Sequence, residues 1–409
     1  MTSVAVAPKL YLDGTHRTVE PETTLERLRP LLPTIGVTRV AAITGLDIIG
    51  LPVVMVCRPN GRSLSVSQGK GANLPAAKAS GIMEAAEAWH AENVGLPLRL
   101  ATYGELQTVA NVVDVELLPR QSRSRFHPDL PILWIEGTNV LTAERVWAPY
   151  ECVHLDFRSS GPQGSGCFAV TSIGLAAGNH QLEAVSHALC EVVERDALAL
   201  WEERGAGDQA SRRLDLDTVD DPLCRRLLEA YERAGVGVAV WDLTTDVGLP
   251  VFSVTIVDRD ASLPRRLPAA IGAGCHPDRA VALSRALAEA AQSRLTVIAG
   301  SRDDCPPAYY RRIRDPGVIA TQLASLDEEG KRSFADVAHV PAASIDEDVA
   351  HELDALKAVG ASQVIIVDLT RPGIGIPVVR MVVPGLEGWA DRGQRMVPGA
   401  RRRALQEHS

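Results

Sequence analysis

The sequence contains no two cysteines close enough for a CxxC pair, and its seven cysteines are an odd number. Neither a zinc ribbon nor a disulfide framework is suggested, and reduced thiols are expected. Positive charge is not in excess either: 42 Lys and Arg face 51 Asp and Glu, a formal net charge of -9. An acidic surface argues against binding nucleic acid, because phosphate contacts need clustered Lys and Arg. It leaves room for a small phosphorylated ligand in a local pocket.

Long apolar runs are also missing. The most apolar stretch, residues 40–57, is interrupted by Gly45, Asp47, Gly50 and Pro52. It is a poor membrane helix and is expected to form two buried strands, 39–44 and 52–57, joined by a turn. The opening MTSVAVAPKL lacks a basic region followed by an apolar core, so a cytoplasmic, membrane-free protein is expected. No GxSxG, HExxH or dinucleotide-binding fingerprint is present.

What is present is an ordinary globular composition over 409 residues, with 46% hydrophobic and 23% charged residues. That length corresponds to two or three domains or one elaborated unit. Three segments resemble one another: LPAAKASGIMEAAEAWH (74–90), QLEAVSHALCEVVERDALALW (181–201) and PDRAVALSRALAEAAQSRL (277–295). Aligned on their glutamates they carry the quartets Ala77/Ser80/Glu84/Glu87, Ala184/His187/Glu191/Glu194 and Ala282/Arg285/Glu289/Gln292. Their Ala, Leu and Glu content predicts helices. The i, i+4, i+7 spacing stacks the three polar side chains of each quartet along one stripe.

A glycine-bearing stretch precedes each helix: SQGKGAN (67–73), GLAAGN (174–179) and IGAGCH (271–276). Strand-like runs lie upstream: LPVVMVC, CFAVTSI and LPVFSVTIV. The expected unit is strand, Gly-rich turn, helix, recurring about every hundred residues, too long a period for a solenoid. Pseudo-symmetric lobes around one site, in a mixed α/β fold, follow. Further strands are expected in ILWIEGTNVL, RVWAPY, AVWDL, SQVIIVDLT and IPVVRMVVPG, and a polar helical connector over 208–235. The basic ending ARRRALQEHS is expected to be loose.

The glutamates on these largely apolar helices need compensating positive charge. Glu84, Glu87 and Glu191 are expected to lack a Lys or Arg four residues on that pairs with them. Hard carboxylate oxygens suit Mg2+, which in turn bridges nucleotide phosphates. Glu84, Glu87, Glu191 and Glu194 are therefore candidate metal ligands, the plainer alternative being solvated helix faces with local ion pairs. Lys70 lies between Gly69 and Gly71 and could meet a phosphate, although Leu64 stands where a Walker-type loop needs glycine. A plain surface turn is equally open there. Arg285, Gln292 and Arg294 supply donors for phosphate or ribose, or Arg285 simply pairs with Glu289. His90 and His187 are expected to pack more than to react, and Cys190 to belong to the core.

Together, SQGKG, ASGIMEAAE, GLAAGNHQLEAVSHALCEVVERDA, GCHPDRAVALSRALAEAAQSR and the late PVVRMVVPGLE resemble the YcaO family. The opening GTHRTVEPETTLERLRPLLPTIGVTRVAAITGLDIIGLPV resembles the branch found beside TfuA proteins. About half the chain carries the likeness, in the family's order. Ala88 and Ile173 depart from residues frequent in the family, Arg and Asn respectively.

The resemblance implies a YcaO-type ATP-binding fold, with a 1–60 N-terminal segment, a 61–390 catalytic region and a 391–409 tail. It implies ATP and Mg2+ as cofactors, with Glu84, Glu87, Glu191 and Glu194 on the metal. Ser80, Asn179, His187 and Arg285 fall where nucleotide contacts are expected, and Lys9 and Arg17 in the segment that approaches phosphates. The implied activity is ATP-dependent activation of a peptide-backbone amide. A sulfide nucleophile gives a thioamide, a substrate Cys, Ser or Thr an azoline, an amine an amidine. The ending lacks the proline-rich PxPxP of many azoline formers, so thioamidation with a TfuA-like partner is favoured. The alternatives are a cyclodehydratase and an accessory factor for methylthiolation of a ribosomal protein. A peptide or protein substrate and a homodimer are implied as well. No side chain is assigned as a catalytic acid, base or nucleophile.

Overall fold

The computed structural model describes residues 6–158, 164–259, 267–326, 328–388 and 396–408. The chain divides into two compact units. The first comprises Met1–Pro8, Ala86–Arg204 and Ala343–Ser409; the second comprises Lys9–Ala85 and Gly205–Ala342.

The first unit is built on a six-stranded antiparallel sheet. Its order runs Leu98–Ala101, Ile132–Asn139, Ile365–Asp368, Val378–Val382, Leu175–Ala177, with Arg145–Pro149 also paired to Ile132–Asn139. Helix Gln181–Trp201 packs on the Leu175–Ala177 end of this sheet, and helix Ile345–Ala358 packs on that helix. Trp134, Phe168 and Leu106 are fully buried in one core. The Trp134 indole N–H reaches the Ala101 carbonyl at 2.9 Å, so burying this large ring leaves no polar atom unsatisfied.

The second unit holds two three-stranded antiparallel sheets. One is Arg39–Ala42, Val53–Cys57, Val66–Lys70; the other is Val236–Asp242, Val251–Asp258, Ala270–Cys275. Helix Arg279–Ala299 covers the second sheet, with Phe252, Val254, Leu283, Leu287 and Tyr231 in the core between them.

The three alike segments are all helical: Leu74–Glu92, Gln181–Trp201 and Arg279–Ala299. Their starts are capped by side chains. Asn73 accepts from the Ala76 amide, His180 from Leu182 and Asp278 from Ala280.

The stretches before these helices differ from expectation. Of the glycines in these stretches only Gly174 sits in a turn, with φ +78°; the others lie in or beside strands Val66–Lys70, Leu175–Ala177 and Ala270–Cys275. The reason is close packing. A Cβ on Gly69 would lie 2.1 Å from both the Ala77 carbonyl oxygen and the Gly81 nitrogen of the following helix, and one on Gly274 would lie 2.2 Å from the Ala282 oxygen. Only glycine lets strand and helix backbones approach so closely. CFAVTSI forms no strand; the strand begins after it, at Leu175.

Residues 39–44 are also less buried than expected, because Arg39–Ala42 is a sheet edge with half its residues exposed. The expected strands in ILWIEGTNVL, RVWAPY, AVWDL, SQVIIVDLT and IPVVRMVVPG are all present. The ending is not loose: Ala400–His408 is a helix, and its Arg401 pairs with buried Asp196 at 3.1 Å. Basic residues that look solvated in sequence are held by acids distant along the chain.

Candidate functional site

In the first unit two candidate metal ligands meet one segment of backbone. Glu87, on helix Leu74–Glu92, accepts the Ala177 N–H at 2.7 Å. Glu191, on helix Gln181–Trp201, accepts the Gly174 N–H at 3.1 Å. The two amides are three residues apart on a sheet edge, at most about 10 Å at strand rise. Glu194 lies one helical turn beyond Glu191, its side chain 5% exposed. Two carboxylates from two helices thus meet one short backbone segment, with Glu194 one turn further along its helix.

The expectation that no cation stands four residues on fails for Glu191. Arg195 stands four residues after Glu191, and its guanidinium is 3.8 Å from Glu191 and 3.4 Å from Glu194. Both are ion-pair distances. Arg195 offsets part of the charge of both carboxylates.

In the second unit Glu84 accepts the Gln68 N–H at 3.3 Å. Burial raises its pKa; Arg302 is the strongest opposing charge, the Gln68 amide and Lys70 also lower it, and Glu289 pushes it further up. A carboxyl so placed favours ionisation once a cation arrives. Lys70 is not a free phosphate donor: its ammonium pairs with Glu289 at 2.6 Å. Glu289 therefore meets Lys70 in place of the Arg285 pairing considered from helical spacing.

Gln292 donates to the Gln68 carbonyl at 3.4 Å, while the Thr296 hydroxyl donates to the Gln68 side chain. Gln292 thus braces the strand that leads into Glu84's helix, and its Oε1 is buried without a partner among the described residues. Arg294 is lost to the site altogether. It is 3% exposed and bridges Asp47 at 3.0 Å and Asp258 at 2.8 Å, a structural triad. Arg302, missed in the sequence, is locked in a fork by Asp304 at 2.9 and 2.7 Å.

Lys9, Arg17 and Arg285 share a second neighbourhood in this unit. All three, with His16, lower the pKa of buried His276, although burial is the largest cause. His16 and His276 meet edge to face at 4.8 Å. The Lys9 ammonium donates to the Ala342 carbonyl at 2.9 Å and Arg17 to the His16 carbonyl at 3.0 Å.

The remaining candidates are less distinctive. Asn179 donates from its backbone at 2.8 Å and its side chain at 3.3 Å to Glu183, an acid 1% exposed that the sequence reading passed over. Ser80 and His187 are half-buried on their helices. His90 is a core histidine bonded to the Ala86 carbonyl at 2.7 Å. Cys190 is buried as expected. All seven cysteines are free thiols, six of them buried, and burial pushes Cys152 up to about 12. A thiol so protonated is no nucleophile.

Two other residues escaped the sequence reading. Arg195 was legible, at i+4 from Glu191. Arg380 is a buried guanidinium in the middle of strand Val378–Val382, and a lone charge inside VVRMVV was its signal.

Comparison with known proteins places this geometry. The family model described as YcaO cyclodehydratase, ATP- and Mg2+-binding, matches residues 68–387. A protein from the tfuA 3′ region of Rhizobium leguminosarum bv. trifolii is 38% identical over 382 residues, 92% of this chain and 89% of that protein. A protein of Methanothermobacter thermautotrophicus is 35% identical over 376 residues, 90% of this chain and 94% of its own. Among solved structures, YcaO from Methanopyrus kandleri bound with AMPPCP and Mg2+ aligns with a TM-score of 0.73 at 23% identity, covering 93% of this chain and 94% of that one. A heterocyclase in complex with substrate and cofactor aligns with a TM-score of 0.74 at 22% identity, covering 94% of this chain and 54% of that one. Among the described residues, no helix is long and apolar enough to cross a membrane. With three strand-to-helix repeats and a match over most of its length, this chain belongs to the YcaO family, an ATP- and Mg2+-binding family of cyclodehydratases.

Proposed function

We propose that this protein uses ATP and Mg2+ to activate a peptide-backbone amide, and that the product is a thioamide formed with a TfuA-like partner. The observation that carries the reading is the pair Glu87 and Glu191 on the amides of Ala177 and Gly174. Hydrogen bonds from fixed backbone amides orient carboxylate oxygens without neutralising them, which is how ligands for a hard cation are prepared. The donor set fits Mg2+: all oxygen, with Glu84 held at a raised pKa by burial until a cation is present. We assign Glu84, Glu87, Glu191 and Glu194 to the metal. We assign Lys9, Arg17, Ser80, Asn179, His187 and Arg285 to the nucleotide, and Lys70 and Gln292 to the braces behind it. Bound Mg2+ would supply charge neutralisation for the triphosphate.

The chemistry asks the chain for position and charge. Hydrosulfide adds to the amide carbon, a C–S bond forms and the C=O π pair moves to oxygen. That oxyanion takes the γ-phosphoryl group as the bond to the β-phosphate breaks and ADP leaves. Phosphate then departs with the C–O bond pair, and loss of a proton leaves the thioamide. The cations around His276 suit the accumulating negative charge. Thioamidation is favoured over ring formation by the relative in a tfuA 3′ region. The similarity to a heterocyclase supports azoline formation as the second reading. A homodimer is part of the proposal, checked by light scattering.

The test is mass spectrometry of a candidate peptide incubated with the protein, MgATP, sulfide and the TfuA-like protein. A gain of about 16 Da, oxygen exchanged for sulfur along the phosphorylated route, is the expected result. A loss of about 18 Da, water expelled by the same route, would establish the ring-forming reading instead.

A further inference from the structure

Arg380 is 3% exposed at the centre of the strand Val378–Val382, among valines and a methionine. Its Nε donates to the Cys152 carbonyl at 2.8 Å. Its NH1 is buried and has no hydrogen-bond partner among the described residues. Buried polar groups in native proteins are paired, and an exception marks a missing water, ion or ligand. A guanidinium cannot escape the penalty by losing its proton at neutral pH, even though burial pulls its pKa down to about 10.

The backbone register shows what lies beside it. Arg380 stands opposite Leu175 in the antiparallel pair. The next residue, Met381, donates its amide to the Gly174 carbonyl at 2.7 Å. The amide of that same Gly174 holds Glu191 at 3.1 Å. The strand that carries Arg380 therefore grips the very residue that orients a metal-binding carboxylate. Glu191 lies close enough to act on the Arg380 charge, yet NH1 has no hydrogen-bond partner among the described residues.

We infer that Arg380 is a donor for the terminal phosphoryl group of the nucleotide in this site. The inference rests on the ATP reading above and deepens it. A planar guanidinium fork matches phosphate oxygens, and a buried, unpaired donor beside the candidate metal ligands gains a partner when side chains around it yield to the phosphate. Leaving Nε on a backbone carbonyl fixes the plane of the fork while NH1 stays available.

The experiment compares binding of MgADP and of MgAMPPCP by titration calorimetry in wild type and Arg380→Gln. The expected result is near-wild-type affinity for MgADP with a loss of about tenfold or more for MgAMPPCP, from removal of a charge-assisted hydrogen bond. Equal losses for both nucleotides, or none for either, would overturn the inference and leave Arg380 a structural residue bonded to water. Should Arg380→Gln not fold, Arg380→Lys reads the same ratio, because it keeps charge without the fork. A selective loss of about threefold or more for MgAMPPCP then supports the role, and an unchanged ratio refutes it. If wild type itself binds neither nucleotide, the ATP reading fails first, and this result is distinct from selective failure at Arg380.

Discussion

Glu87 and Glu191 come from different helices, yet they accept hydrogen bonds from amides only three residues apart, those of Ala177 and Gly174, at 2.7 and 3.1 Å. One short strand therefore sets the positions of two carboxylates at once. This explains how helices separated by about a hundred residues of sequence can serve one ligand set, since long-range register is cheap once a strand is fixed in a sheet.

Replacing Glu191 by Gln keeps the acceptor for the Gly174 amide and removes the charge. We expect thermal stability near wild type and a fall in Mg2+-dependent ATP hydrolysis of about a hundredfold or more, as when a charge-stabilising group is removed from a transition state. Glu84→Gln is expected to behave alike. Steady-state phosphate release across a Mg2+ titration, with circular dichroism as the folding control, checks both. Unchanged Mg2+ dependence in the two variants would remove the ligand assignment.

Gly69→Ala drives a methyl group to 2.1 Å from backbone atoms of Ala77 and Gly81. Neither can yield without shifting the helix that carries Glu84. A destabilisation of about 2–4 kcal/mol is expected from such overpacking. Gly207→Ala is the control, because nothing lies within 4 Å of the added methyl; its midpoint in urea is expected to stay level or rise.

Arg294 joins Asp47 and Asp258 with all three side chains buried. Arg294→Met is therefore expected to cost about 3–5 kcal/mol, because two buried carboxylates lose their cation. The denaturant midpoint measures this. The discriminating result is nucleotide affinity: the variant, where still folded, is expected to bind MgADP normally, and a selective loss of binding in a fully stable variant would return Arg294 to the site.

Asp196 is buried, and its pKa is pushed up to about 6 by burial, against the pull of Arg401 and the Glu387 amide. The folded state thus binds a proton more tightly than the unfolded chain. Its contribution to stability is present at low pH and is lost as pH rises through about 4 to 6, a span worth up to about 3 kcal/mol. The slope is expected to flatten in Asp196→Asn, read from urea midpoints between pH 4 and 7. An identical slope in the variant would show that other groups carry the titration.

Most of the helical framework was legible before any coordinates. Ala, Leu and Glu at helical spacing mark Leu74–Glu92, Gln181–Trp201 and Arg279–Ala299, because propensity and periodicity are local properties. The strands around ILWIEGTN, VFSVTIVD and VVRMV were legible for the same reason. The glycines misled: their density suggested turns, whereas Gly69 and Gly274 are strand residues that make room for a helix backbone. That need arises from a tertiary contact and leaves the same composition as a turn.

The charged residues divide similarly. Glu84 and Glu87 could be picked out because carboxylates on an apolar helix without a local cation break a local rule. Arg195 beside Glu191 was equally readable and was overlooked. Arg294 and Lys70 could not be sorted from sequence: which arginine serves a ligand and which one holds Asp47 and Asp258 depends on partners more than two hundred residues away for Asp47 and 36 away for Asp258. The C-terminal helix shows the same limit, since its arginines look solvated until Asp196 and Glu203 are seen beside them.

By itself, then, the sequence determined three helices bearing acids and donors in a repeated stripe, through spacings that act within a few residues. Only the tertiary structure decided that Glu87 and Glu191 are held by one strand and the residue before it, that Lys70 and Arg294 are already paired, and that Arg380 has a buried donor without a hydrogen-bond partner among the described residues. The physical reason is that hydrogen bonds and burial are settled by proximity in space, and proximity between distant segments is not encoded in the spacing of either one.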